Sequence, residues 1–157
     1  MSDYFDTPYA ALMLDEIEDY ELVIGELTSF IDQGLNTGAA LHNRAIARWE
    51  IGQNQEALVD FNAAIAALPD SHMPAQYKGV MLHKLGRITE AMESLGLAIS
   101  IAPNDVWLRR TRGYMQAELG LLEDALHDLD HAVGLDPSFQ YTINERDKVR
   151  SLLQRKQ

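Results

Sequence analysis

Apolar residues in this chain recur at intervals of three and four, the spacing that places side chains on one face of a helix. Ala57, Leu58, Phe61, Ala64, Ile65 and Leu68 form one such stripe, which begins soon after Ile51-Gly52 and stops at Pro69. The stripe then returns. GQNQEALVDFNAAIAALP (Gly52 to Pro69) is followed by GRITEAMESLGLAISIAP (Gly86 to Pro103) and GLLEDALHDLDHAVGLDP (Gly120 to Pro137), each 34 residues after the last. Each glycine predicts a tight turn, because a residue without a side chain tolerates backbone angles closed to others. Each proline predicts a helix that has just ended, where a missing N–H does least harm. Ahead of Gly52, Leu41, Ala45 and Arg48 mark one face of a first helix, so each unit reads as two helices joined by a glycine turn.

Small residues keep the same beat. Ala45, Gly79 and Gly113 share the eighth place of the unit, Ala57, Ala91 and Ala125 the twentieth, and Ala64, Ala98 and Ala132 the twenty-seventh. Helices packed face to face need such places for their axes to approach within about 8–10 Å. Phe61, Leu95 and Leu129 at the twenty-fourth place supply the bulk that fills the space between neighbouring units. This is packing logic without catalytic content.

With these residues the chain resembles the tetratricopeptide repeat family, whose period is 34 and whose unit is a helix–turn–helix. That pattern asks for small residues at places 8, 20 and 27 and proline at place 32, and all three units comply. It also asks for Leu at place 7 and an aromatic at place 11, where this chain has Arg44, Lys78 and Arg112, and Arg48, Leu82 and Gln116. The resemblance implies an all-α, right-handed superhelical solenoid forming a single domain over residues 1–157. Its parts would be a degenerate repeat at 4–37, repeats at 38–71, 72–105 and 106–139, and a capping helix at 140–157 with Ile143, Val149, Leu152 and Leu153 as its apolar residues. In the degenerate repeat Val23, Leu27 and Phe30 take places 20, 24 and 27, and Leu35 replaces the proline, with Gly34 and Asn36 as alternative helix stops.

The resemblance further implies a concave face lined by the first helix of each unit, where members of the family hold protein ligands. The residues at the ligand-facing places are His42, Asn43, Ile46, Trp49, Met73, Tyr77, Val80, His83, Trp107, Arg110 and Tyr114, with Phe5, Tyr9 and Leu12 added by the degenerate unit. Both tryptophans of the chain are among them, and large rings in a groove suit a peptide or helical segment of a partner protein. The clamp of Lys, Arg and Asn by which chaperone-binding members hold a terminal carboxylate is not matched. Its five places hold Pro8, Leu12, Asn43, Met73 and Tyr77, or, one unit later, His42, Ile46, Tyr77, Trp107 and Thr111.

Charge narrows the partner class. The 157 residues carry a formal net charge of −11, which disfavours nucleic acid because a phosphate backbone calls for a basic face. Nine acids and no Lys or Arg fall in residues 1–37, whereas residues 140–157 hold five bases against two acids. These opposite ends make head-to-tail self-association one alternative. A small acidic immunity protein that masks a basic toxin is another, and a three-repeat secretion chaperone is a third. No apolar run reaches the length of a membrane span, and MSDYFDTPYA has no secretory layout, so a cytoplasmic protein without membrane partners is expected.

Chemistry is sparse. Cysteine is absent, and neither a phosphate-cradling glycine loop nor a nucleophile motif occurs, so the chain reads as a non-enzyme without cofactor. Asp124, His127 and His131 share one helical face and form the best metal candidate, but they fall on the outer side of a second helix where no cleft is implied. The expectation is no catalytic and no metal site.

Overall fold

The computed structural model describes residues 19–155. Among these the protein is all helical, with α1 Tyr20–Asp32, α2 Thr37–Glu50, α3 Asn54–Ala67, α4 Met73–Lys84, α5 Ile88–Ile101, α6 Val106–Glu118, α7 Leu122–Leu135 and α8 Gln140–Gln154. The first part of the leading repeat, including Phe5, Tyr9 and Leu12, lies outside the described residues.

One closing device recurs at the ends of α1, α2, α4 and α6. At the end of α2, Gly52 takes φ +80° and donates its N–H to the Trp49 carbonyl at 2.9 Å, while the Gln53 N–H reaches the Arg48 carbonyl at 2.8 Å. This reversed pair of bonds satisfies carbonyls that a helix end leaves open, and it needs a left-handed residue at its first position. The same pair is made by Gly34-Leu35, Gly86-Arg87 and Gly120-Leu121. The second helix of the degenerate repeat therefore ends as the first helices of the regular units do, whereas α3, α5 and α7 stop just before Pro69, Pro103 and Pro137 without a left-handed glycine.

The chain divides into two compact units, one ending at Met81 and one beginning at Leu82, so that the division falls within α4. In the first unit, α2 packs against both α1 and α3. Leu27, Ala45, Ala57, Phe61 and Ala64 are fully buried there. A fully buried Leu or Phe contributes about 1.5–3 kcal/mol, so this interior accounts for the cohesion of three short helices that would be marginal alone. In the second unit, α6 packs on α5 and α7, and α8 covers α7 and touches α6. Leu122, Ala125, Leu129 and Val149 form its buried cluster, with Tyr114, Ala117, Leu126 and Leu153 packed around them. The small residue at Gly113 is required here, since a Cβ at that position would stand 2.9 Å from Leu129 Cγ.

The arginines that depart from the family pattern have buried partners. In the first unit, Asp60 on α3 accepts from Arg44 and Arg48 of α2, and Arg44 also donates to the Thr28 hydroxyl of α1 at 3.0 Å. In the second unit, Asp128 on α7 accepts from Arg109 and Arg112 of α6. Gln116, with its amide turned to satisfy both ends, adds a bond to Asp128 at 3.1 Å. Ser94 holds the equivalent place on α5, and its hydroxyl bonds the Glu90 carbonyl of its own helix. No described helix is long and apolar enough to cross a membrane.

Candidate partner-binding surface

Helix α6 starts where Asp105 caps it, its carboxylate accepting from the Leu108 N–H at 3.0 Å. Leu108, Gly113 and Met115 are buried, and Trp107, Arg110 and Tyr114 recur at i, i+3 and i+7 along a separate face, half-buried. Three arginines crowd this helix with different fates. Arg109 and Arg112 turn to Asp128, while Arg110 lays its guanidinium over the Phe139 ring, 4.5 Å from the centroid.

Phe139 is placed by the turn that precedes α8. The Asp136 carboxylate accepts from the Ser138 N–H at 3.0 Å and hydroxyl at 2.6 Å, which fixes the turn. Those bonds from Ser138 hold the Asp136 carboxyl below its ordinary range, with a smaller contribution from the positive charge of Arg110. Tyr141 then meets Tyr114 edge-on at 5.6 Å between centroids and Phe139 at 6.5 Å. Phe139 is 41% exposed and Tyr141 58% exposed. The result is a surface of three rings and one guanidinium, built from α6 and the start of α8. Burial pushes the Tyr114 phenol above its ordinary value, and the neighbouring Thr142 hydroxyl opposes this. Both hydroxyls are buried and neither makes a well-aligned hydrogen bond, so their mutual contact is a weak one.

The other candidate residues are distributed as follows. In the first unit His42, Asn43 and Ile46 are buried on α2, and Trp49, Met73, Tyr77 and Val80 are half-buried. The His42 ring lies 5.2 Å from Tyr77 in an edge-on contact and 6.0 Å from Phe61. Burial lowers its pKa to about 4, and its Nδ1 is enclosed without a hydrogen-bond partner. In the second unit His83 Nε2 stands 3.0 Å from Glu118 at the end of α6. Of the candidates in this unit, Arg110 and Tyr114 come together in the ring cluster.

Phe139 and Tyr141 belong to the surface although the repeat frame did not point to them. They fall at its end and in the capping segment, and the available signal was two rings flanking Gln140 just after Pro137. On α7, Asp124, His127 and His131 are exposed, and among the described residues no three His, Asp or Glu side chains are grouped so as to hold a metal ion.

Residues 78–105 match the family model for a tetratricopeptide repeat. In structure the protein is similar to MamA from Desulfovibrio magneticus RS-1, residue 41 to its end, with a TM-score of 0.74 at 20% identity over 98% of this chain and 88% of that one. The fold is that of tetratricopeptide repeats. This all-α repeat fold is found also in YrrB, described as having an unusual peptide-binding site, with a TM-score of 0.73 and 19% identity over 96% of this chain and 76% of that one. The first tetratricopeptide domain of Spaghetti (RPAP3), bound to the HSP90 peptide SRMEEVD, gives a TM-score of 0.66 and 20% identity over 74% of this chain and 92% of its own. The sequence matches no curated protein at a significant level.

Proposed function

We propose that this protein is a protein–protein interaction module that grips a segment of a partner on the ring surface of α6 and α8, in an adaptor or chaperone-like role. The observation that carries this reading is Tyr141, held edge-on against Tyr114 yet 58% exposed, beside a guanidinium stacked on Phe139. Rings and arginines on rigid helices are the groups that dominate binding at protein interfaces. Two structural neighbours point the same way, one with a bound peptide and one described by its peptide-binding site. The ligand chemistry here differs from that of a terminal carboxylate held by paired cations, since the matching places carry His42, Ile46, Tyr77, Trp107 and Thr111. An apolar or aromatic segment with one acidic group suits three rings around Arg110.

The test is selection of peptides from a displayed random library on the intact protein, followed by titration of the enriched sequences. Arg110→Ala and Tyr141→Ala should each weaken binding at least about tenfold, or 1.4 kcal/mol, with helicity unchanged. Enriched peptides that bind both variants as tightly as the parent would remove this surface from the reading.

A further inference from the structure

Two carboxylates act on the ring surface of α6 and α8, and both are engaged elsewhere. Glu145, whose charge reaches Tyr114, stands 3.6 Å from the Lys148 ammonium of its own helix. Asp136, which feels the charge of Arg110, accepts instead from the Ser138 N–H at 3.0 Å and hydroxyl at 2.6 Å. Of the three arginines crowded on α6, Arg109 and Arg112 turn to Asp128. Arg110 has the Phe139 ring where the others have a carboxylate, 4.5 Å from guanidinium carbon to centroid. A ring face holds a guanidinium without using its five N–H donors, so they stay available to an incoming acid.

Asp136 and Phe139 are three residues apart, at most about 10 Å along the chain, so a guanidinium over the ring is within side-chain reach of the carboxylate. An exposed ion pair and an exposed cation–π contact are of similar strength. Arg110 therefore has two closely matched places to go, and the bonds that Asp136 already makes decide between them. We propose that Ser138 is a positioning residue of the partner-binding surface: it holds the Asp136 carboxylate away from Arg110, which keeps the guanidinium on Phe139 and open to an acidic group of the partner. The inference rests on the partner-binding reading and deepens it, because it assigns the preference for an acid to a residue outside the rings.

Nuclear magnetic resonance on the full chain without ligand reads the position of Arg110. Protons of its side chain that lie over Phe139 are shifted upfield by the ring. Ser138→Ala removes the hydroxyl bond and should move them toward the unstacked position, whereas Ser138→Thr, which keeps a hydroxyl, should match the parent. Asp136→Asn still offers an oxygen to the Ser138 donors but carries no charge, and it should leave Arg110 stacked. Ser138→Ala combined with Asp136→Asn should restore the parental shift, since no charged competitor remains. Acidic peptides enriched on the parent should bind Ser138→Ala about threefold more weakly, as expected if the stacked fraction falls to about one third, and should recover on the double variant. Parental shifts in Ser138→Ala would overturn the proposal. So would a double variant as displaced as Ser138→Ala, which would make Ser138 a brace of the turn and nothing more. Shifts in the expected order with no peptide enriched would uphold the positioning of Arg110 and remove the partner-binding reading, while bound peptides with unmoved shifts would do the reverse.

Discussion

Arg44 meets Asp60 at both carboxylate oxygens, Nε to Oδ2 and Nη2 to Oδ1, each at 2.8 Å. Arg48 adds a third bond at 2.6 Å, so one buried carboxylate ties two turns of α2 to α3. Two-point geometry of this kind is the strongest form of ion pair, and it fixes the register of one helix against the other. Its net worth is smaller than its bonds suggest, because both charges are taken from water to make it.

Removing one partner is therefore predicted to cost more than the pair contributes. Asp60→Ala leaves two guanidinium groups facing each other with side chains only 12% and 20% exposed. A loss of about 3 kcal/mol is expected, at the low end for a broken buried pair because the arginines keep some contact with water. Urea unfolding measures it, and a change below about 1 kcal/mol would show that the carboxylate is dispensable. Asp128→Ala should behave alike, since Arg112 makes the same two-point contact there at 2.6 and 2.9 Å.

These pairs mark where the sequence was readable and where it was not. The glycine turns and the alanine places make local demands, a left-handed backbone or a missing side chain, and both leave a mark in every unit. Arg44 and Arg112 instead appeared as departures from a pattern asking for Leu. Their meaning depends on Asp60 and Asp128, 16 residues later on another helix, and an acid at a buried place is silent until that helix is packed. His42 stood at a ligand-facing place of the family, but here it is covered by Phe61 and Tyr77. Phe139 and Tyr141 escaped notice because no other unit repeats them.

His42 gives the first unit a pH dependence of definite sign. Its pKa falls from 6.5 to about 4 on folding because burial disfavours the charged ring. Between those values the unfolded chain binds the extra proton, so stability is complete above pH 6.5 and declines as the pH drops toward 4. The expected decline is roughly 3 kcal/mol. Urea midpoints at pH 7.5 and pH 4.5 should fall further apart in the parent than in His42→Phe, which cannot titrate. Equal decreases in the two proteins would assign the acid sensitivity to other groups.

Two glycines inside helices should respond in opposite directions to alanine. Nothing stands within 4 Å of a Cβ placed at Gly25 in α1, so Gly25→Ala should gain about 0.5–1 kcal/mol from lower backbone entropy in the unfolded chain. At Gly113 the new atom would meet Leu129 Cγ at 2.9 Å and the Ala125 carbonyl at 3.3 Å. Leu129 is fully buried and cannot swing away, so Gly113→Ala should lose about 1–3 kcal/mol despite the better helix former. Thermal melts of the two variants decide this, and a stabilised Gly113→Ala would mean that α6 and α7 can part more easily than their packing implies.

The Tyr114 and Thr142 hydroxyls are the least satisfied polar groups of the second unit. Both are enclosed, and each has only the other as a weakly aligned neighbour. A buried hydroxyl without a sound hydrogen bond costs about 1–3 kcal/mol in lost hydration, whereas an apolar group of the same shape costs nothing comparable. Tyr114→Phe combined with Thr142→Val is therefore expected to raise stability by about 1 kcal/mol. Each single change should give less, because it strands the remaining hydroxyl. Urea unfolding of the two single variants and the double variant supplies the coupling directly. A double variant less stable than the parent would mean that the two hydroxyls form a sound bond in solution and hold the start of α8 onto α6.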